Sequence, residues 1–403
     1  MSQTASGESG PFGVRERTRM LAVTSTVLFF SVLVWFNYSA VLPAIIEAWG
    51  LSGTRAGIVF SAFQVGYLLA IVPVGSLADR HSARWVVAVG AAGTGLASLL
   101  FGLVAAGFLA GTALRFIAGV FMAGVYVPGM RFLSDWYPSA VRGRALGVYV
   151  GAYSFSSGLS FVVGAQVAAA VDWRTAILVT SAGAVVAAPA MVLLARDADG
   201  AVSRADRRFD HSVLRNREYL YAVGVYTLHS WEIFGVRNWL LVFLVAAPVF
   251  ASGAAPVTAG TVVGVAFVLG GLGNLLGGWA SDSIGRARTI AIALGSSAAI
   301  SLALPLLVDL PFFALTAIVF VYGVVLTADS SPVSTAITEV VADENVGVAL
   351  SIQSLVGYSG AALSPVVFGV ALDGFGFAVA FWTLAAAAVA GLGSLVALSR
   401  SGY

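Results

Sequence analysis

The sequence predicts an all-α membrane protein, with twelve transmembrane helices in two pseudo-symmetric six-helix bundles. Three observations lead there. Of 403 residues, 59% are hydrophobic and 10% charged, where soluble domains carry about 25% charged residues. The apolar residues gather into twelve runs, each holding the roughly 20 residues that a hydrocarbon layer about 30 Å thick requires. One charged turn also occurs twice. Gly-Ser-Leu-Ala-Asp-Arg-His-Ser-Ala-Arg-Trp at 75–85 returns as Gly-Trp-Ala-Ser-Asp-Ser-Ile-Gly-Arg-Ala-Arg at 278–288, aligning Gly75 with Gly278 and Asp79 with Asp282. The spacing of 203 positions is half the chain, as a duplicated bundle requires.

Taken in order, residues 1–18 are a polar tail that runs into Arg15, Arg17 and Arg19. The first apolar run is too long for a signal-peptide core and lacks a small-residue cleavage pattern, so it reads as an uncleaved span. A first bundle over 19–195 holds runs at 21–45, 54–77, 84–105, 108–134, 144–170 and 174–195. A charged linker, 196–218, leads to a second bundle over 219–398, with runs at 219–248, 257–280, 288–308, 312–337, 346–371 and 377–398; residues 399–403 form a short tail. The duplication extends beyond the turns: at an offset of 204, Pro128 meets Pro332 and Gly143–Leu146 meets Gly347–Leu350. Gly147/Gly151 and Gly273/Gly277 have the four-residue spacing that lets helices approach closely. All basic residues are arginine, and 17 of the 21 fall on the side of the two termini, against Arg55 and Arg174 in the opposite loops. The positive-inside rule then puts both termini and the 75–85 turn in the cytoplasm of a prokaryotic cell, the chain crossing its plasma membrane many times.

Composition also excludes. Without lysine there is no P-loop Gly-Lys pair and no Schiff-base lysine; without cysteine there are no disulfides or thiolate sites. Of three histidines only His229 lies in a run, and neither His-Glu-x-x-His nor Gly-x-Ser-x-Gly occurs, so no enzyme, cofactor or metal centre is expected. No nucleic-acid partner is expected either. A channel needs a pore ring, normally from several subunits, whereas this chain is duplicated and pseudo-symmetric alone.

Ionisable side chains inside spans are costly and mark cavities or partners. Arg115 stands in the fourth run; the seventh carries His229-Ser-Trp-Glu-Ile-Phe-Gly-Val-Arg237. Glu232 and Arg237 are five residues apart, about 140° around a helix, so they face different partners. Asp329, three residues before Pro332, is expected to satisfy backbone that the proline loosens. Asn37, Tyr38, Gln64, Tyr126, Tyr153, Asn274, Gln353 and Tyr358 are further polar groups within runs. Trp35, Phe36, Trp231 and Trp239 read as packing or interface anchors.

Two six-helix halves, a basic central loop and Gly-x-Leu-Ala-Asp-Arg-x-x-x-Arg after the second helix resemble the major facilitator superfamily over nearly the whole chain. In that family the repeated turn is called motif A, and its charges at helix ends suit a gate. The resemblance assigns Gly75, Asp79, Arg80 and Arg84 to its first copy and Gly278, Asp282, Gly285 and Arg286 to its second. Ser82 and Ala83 depart from the usual pattern, which Gly285 and Arg286 keep. Gly75 would let helices 2 and 11 pack closely, and Asp79 would face the positive N-terminus of helix 11. The bland alternative is a topology determinant. Arg115 followed by Gly119 resembles a second family motif. The Gly-Pro pair that drug–proton antiporters carry on helix 5 is missing, with Leu159 where the proline would fall. Glu232 to Trp239 is similar to the cyanate- and nitrate-permease group.

The resemblance implies a monomeric carrier in the lipid bilayer, with helices 1, 4, 7 and 10 lining a path for a small-molecule substrate. The expectation is alternating access for a small anion, driven by protons. Substrate contacts fall to Arg115, Arg237, Asn37, Tyr38 and Tyr126, and proton uptake to Glu232, at a depth like that of Arg115. A static Glu232–arginine pair that only fixes the helices stays open, as does an exporter of amphipathic compounds.

Overall fold

A computed structural model describes residues 12–198, 211–250, 255–342 and 345–401, and every regular element among them is helical. The first span is α1 (Val14–Ala40) followed by α2 (Leu42–Trp49). Pro43 sits in the first turn of α2, where a missing N–H costs nothing. Gly50, left-handed with φ 58°, ends it. Next come α3 (Gly53–Arg80) and α4 (Ala83–Val104), capped by Ser52 and Ser82, whose hydroxyls accept from Arg55 N and Trp85 N. The fourth span is split into α5 (Phe108–Met122) and α6 (Tyr126–Trp136); α7 (Ser139–Ala170) and α8 (Trp173–Leu194) complete the first half.

In the second half α9 (Arg217–Ala246) starts at Asn216, whose side chain accepts from Glu218 N and Tyr219 N. It is followed by α10 (Ala255–Ile284), α11 (Arg286–Ala303) and a tenth span split into α12 (Phe312–Val325) and α13 (Ser330–Glu339). A last helix, α14 (Val346–Arg400), makes two passes joined at Gly376, whose φ of 81° breaks the helical path. Ten described stretches are long and apolar enough to cross a membrane, the last of them holding both passes of α14. The twelfth pass is α9, the polar one.

Helix ends differ from the predicted runs by a few residues. The largest shift is at the start, because α1 begins at Val14, inside the predicted tail. Residues 1–11 and 402–403 of the predicted tails and 199–210 of the predicted linker lie outside the described residues.

Beyond the loosened backbone expected before Pro332, the two split spans were not predicted. Around 123–125, Gly124 N and Val125 N bond three residues back, to Phe121 O and Met122 O. Around 326–329, Thr327 N and Ala328 N do the same, to Val324 O and Val325 O. The offset of 204 relates the two breaks, as it relates Pro128 to Pro332 one turn later.

The halves meet along α3–α14 and α7–α10, and glycines decide where. A β-carbon on Gly57 would overlap the Pro365 carbonyl, one on Gly369 the Gly53 carbonyl, and one on Gly158 the Gly264 carbonyl. All these contacts lie in the half of the molecule away from the chain termini. There Asp373 also spans the halves, accepting from Gly53 N (2.6 Å), Thr54 N (2.8 Å) and Thr54 Oγ1 (2.7 Å) at the start of α3. Towards the termini the same helices separate: Gly75, Gly147 and Gly151 have open space around them. The close packing expected of Gly75 is therefore not made in this state, in which the halves are joined at the far end and apart at the end bearing the termini.

Candidate functional site

Midway along α9, Arg237 is buried to 9% exposure, and among the described residues no carboxylate lies within ion-pair distance of it. Its guanidinium donates to the Tyr153 hydroxyl (3.0 Å) and stands over four rings: Phe36 (5.2 Å), Tyr153 (5.7 Å), Phe234 (5.8 Å) and Phe267 (5.9 Å). These belong to α1, α7, α9 and α10, so the cation sits where the two halves meet. Ring faces stabilise a desolvated cation by about 1–2 kcal/mol each, which holds the charge without neutralising it.

The aromatic wall continues through Trp35, Tyr67, Tyr126 and Tyr358. Tyr126 lies 5.5 Å from Tyr153; Tyr358 lies 5.2 Å from Tyr67 and 5.9 Å from Phe234; Trp35 lies 5.1 Å from Tyr67. Beside it, the Tyr67 hydroxyl, Trp35 Nε1 and both polar atoms of Gln64 are buried without a hydrogen-bond partner among the described residues. Buried polar groups are normally paired. A cation with no carboxylate beside it among the described residues, a wall of rings and polar atoms thus stand together where the halves meet.

Of the predicted substrate residues, only Tyr126 stands with Arg237. Arg115, 1% exposed, donates to the carbonyls of Val34 and Trp35 (3.0 Å each) and lies 4.4 Å from the Phe63 ring centre. It ties α5 to α1 within the first half. The Tyr38 hydroxyl donates to Ala56 O (3.0 Å), and Asn37 Nδ2 bonds Ser98, Thr180 and Ser181, so both face other helices of that half. Trp35 and Phe36, expected to be packing residues, are fully buried in the core, and they also border the ring wall around Arg237. No spacing in the sequence signals this wall, because its members come from helices far apart in the chain.

Glu232 faces away from both arginines, into the core of the second half. Its carboxylate accepts from Ser297 Oγ (2.8 Å), Ser301 Oγ (2.8 Å) and Tyr322 OH (3.4 Å). The static Glu232–arginine pair is therefore not formed. One turn earlier on α9, His229 Nδ1 meets Asp329 Oδ1 at 2.8 Å, and His229 Nε2 meets Ser330 Oγ at 2.8 Å. Asp329 thus corrects its sequence reading: it occupies the N-cap position of α13 but makes no capping bond, and is directed to His229 instead. Among the described residues no group of three or more His, Asp or Glu is placed to hold a metal ion.

The repeated turns anchor each half to itself. Asp79 pairs with Arg131 of α6, which also reaches Asp135 (3.2 Å). Arg84 lies 3.9 Å from Asp197 and donates to Ala195 O (3.0 Å), while Ser82, the departure from the family pattern, donates to Asp197. Arg80 is exposed. In the second copy Arg286 meets Asp282 (3.4 Å) and Glu339 (2.6 Å). Gly285 turns the chain into α11 with φ 92°, and a β-carbon on Gly278 would meet only Ser331, at 3.7 Å. Glu339 stands 204 residues after Asp135, so the two networks share the duplication.

Comparison with known proteins agrees with this architecture. The family model described as Major Facilitator Superfamily matches residues 24–255 and 233–401. A protein of Cupriavidus necator named "Probable sulfoacetate transporter SauU" is 30% identical over 169 residues, 42% of this chain and 39% of that protein. "Membrane sensor protein UhpC" of Salmonella typhimurium is 27% identical over 354 residues, 81% of this chain and 79% of that protein. Local matches of the first kind span 32% to 39% of the relatives' own length. The solved bacterial homolog of the human lysosomal transporter Spinster, in an inward-facing and occupied conformation, shares the fold with a TM-score of 0.71 at 17% identity, covering 96% of this chain and 95% of that one. The chain belongs to the Major Facilitator Superfamily.

Proposed function

We propose that the protein is a secondary active carrier for a small organic anion, working by alternating access as a monomer, with Arg237 as the anion-binding cation and protons as the coupling ion. The observation that carries this reading is Arg237 itself: a buried charge with no carboxylate within ion-pair distance among the described residues, between the two halves that must move. A buried cation without a counter-charge is costly, and a substrate anion would supply that charge. The sulfoacetate relative supports an anionic substrate. The arginine distribution supports placing both termini in the cytoplasm, so that the described state opens inward. Glu232 takes up the coupling proton inside the second half.

The test is thermal unfolding of the purified protein with small sulfonates, sugar acids and aromatic carboxylates. A ligand at 100 times its Kd stabilises by about 2.7 kcal/mol, which raises Tm. The stabilisation by an anion should vanish in Arg237→Gln. Absence of any anion effect, or its survival in Arg237→Gln, overturns the reading. The ring wall favours one rival, an exporter of amphipathic compounds. That reading requires stabilisation by amphiphilic cations, which Arg237 repels.

A further inference from the structure

We infer that a groove between α3 and α5 binds one anionic phospholipid from the leaflet away from the termini, with its phosphate on Arg55 and an acyl chain in the groove, and that this lipid braces the state closed at the far end. The bracing rests on the alternating-access reading above; the binding site does not.

The groove follows from where the two helices cross. A β-carbon on Gly66 would overlap the Phe116 carbonyl, and one on Gly119 the Phe63 carbonyl, so α3 and α5 touch backbone to backbone there. Towards the far end a groove of about 530 Å³ opens between them, where both contribute small side chains: Ser61 and Ala62 from α3, Thr112 and Ala113 from α5. Val65, Leu109 and Ile117 also line it and are exposed. Both helices are membrane spans by length and apolarity, so this face meets lipid. Apolar surface beside a void forfeits dispersion contacts, and in a bilayer an acyl chain supplies them. From Arg55 to Val65 the helix rises about 15 Å, half of a hydrocarbon layer about 30 Å thick. The groove is as deep as one leaflet.

Charge at the mouth selects the headgroup. The two arginines of the far-side loops are used differently. Arg174 donates to Gly102 O (2.8 Å) and Ala105 O (2.7 Å). Arg55 is exposed, and among the described residues its side chain makes no hydrogen bond or ion pair; its guanidinium stands 5.6 Å from the Phe108 ring centre. It lines a hollow of about 610 Å³ with residues 107–110, and Leu109 borders both this hollow and the groove. A cation at the membrane surface thus opens onto an apolar channel, the order of charge and hydrocarbon in a phospholipid. Within the groove lining, Ser61 is 5% exposed and its hydroxyl has no partner among the described residues. An ester carbonyl of the lipid would provide the acceptor.

The groove also crosses the seam between the halves. Val366 of α14 lines it, next to Pro365, whose carbonyl abuts Gly57 of α3. A lipid seated there touches both halves where they are joined, and loses that contact when the seam opens. Its differential affinity for the two states then favours the closed one.

The test compares the parent with Arg55→Gln and with Ala113→Leu, which fills the groove from an exposed position. Each is given equal amounts of phosphatidylglycerol and phosphatidylcholine with the same chains, and native mass spectrometry counts the lipid retained. The parent should keep one phosphatidylglycerol, about fivefold over phosphatidylcholine, the share of one basic side chain beside anionic lipid. Arg55→Gln should lose the preference, Arg55→Lys should keep it, and Ala113→Leu should lose the lipid. The Arg55 variants change an exposed side chain and decide the matter if Ala113→Leu does not fold. Because the chain has no cysteine, spin labels at Val171→Cys and Phe313→Cys, exposed far-end positions in the two halves, report on the seam by pulsed electron resonance in nanodiscs. Exchanging phosphatidylcholine for phosphatidylglycerol should shorten their distances in the parent and leave them unchanged in Arg55→Gln and Ala113→Leu. Equal retention of the two lipids by the parent overturns the inference, as does retention that survives Ala113→Leu. Displacement by glycerol phosphate would make the occupant a free anion, and a dimer that Ala113→Leu dissolves would make it a second copy of the chain; either overturns the inference too. Retention as expected with unchanged distances overturns the bracing. None of these results bears on anion binding at Arg237, which the thermal measurement reads separately.

Discussion

Arg115 and Arg237 look alike in sequence, both single cations in apolar runs, yet their neighbours give them opposite roles. Arg115 holds two carbonyls of α1 through charge-assisted bonds, each contributing about 1.5–3 kcal/mol. Arg115→Ala should therefore lower Tm without ligand, with a loss of about 3–6 kcal/mol in unfolding free energy. Arg237→Gln removes a charge that has no counter-charge, so Tm without ligand should stay level or rise while the gain from anions disappears. Equal loss of ligand-free stability in both would contradict this assignment. Glu232→Gln replaces a carboxylate bonded by two serines and a tyrosine with a group of the same shape, so folding should be kept. In proteoliposomes supplied with a stabilising anion, uphill accumulation under a proton gradient should be lost and exchange retained. Accumulation that persists would exclude Glu232 from coupling. That these three side chains matter was legible from their cost in a membrane span. Whom they meet was not, because their partners lie far along the chain.

Among the elements, the glycines separate packing within a half from packing between halves. A β-carbon on Gly119 would overlap the Phe63 carbonyl, joining α5 to α3 inside the first half, whereas Gly57 meets Pro365 across the halves. Both contacts are too tight for a methyl group, but only the second has to open in a transport cycle. Gly119→Ala should lower stability by about 1–3 kcal/mol, the usual cost of overpacking. Gly57→Ala should leave stability nearly unchanged and move the molecule towards a state open at the far end, read as faster thiol labelling of a cysteine placed at Ser61. Slower or equal labelling would show that this contact does not hold the state. Helix number and order were readable from apolar runs and from the repeated turn. The breaks in the fourth and tenth spans were not, since no proline lies at either break and Pro128 and Pro332 follow them.

Over the whole molecule, the far end is held by backbone contacts and by one carboxylate. Asp373 takes three hydrogen bonds from the start of α3 across the halves. Asn at that position keeps one acceptor oxygen and loses the charge that favours a helix N-terminus. Asp373→Asn should broaden distances between labels at Leu109→Cys and Phe313→Cys towards longer values. An unchanged distribution would leave the glycine contacts as the whole seal.

The sequence alone determined the twelve spans, the two halves, the duplicated turns and the family, because membrane insertion writes length, apolarity and arginine placement directly into the linear chain. The tertiary structure alone decided that Arg237 and not Arg115 stands in the aromatic site. It also decided that Glu232 turns into the second half, that Asp329 meets His229, and which end is closed. The physical reason is that helix periodicity fixes a side chain's direction around its own axis, while its partner depends on how separate helices are rotated and packed against one another.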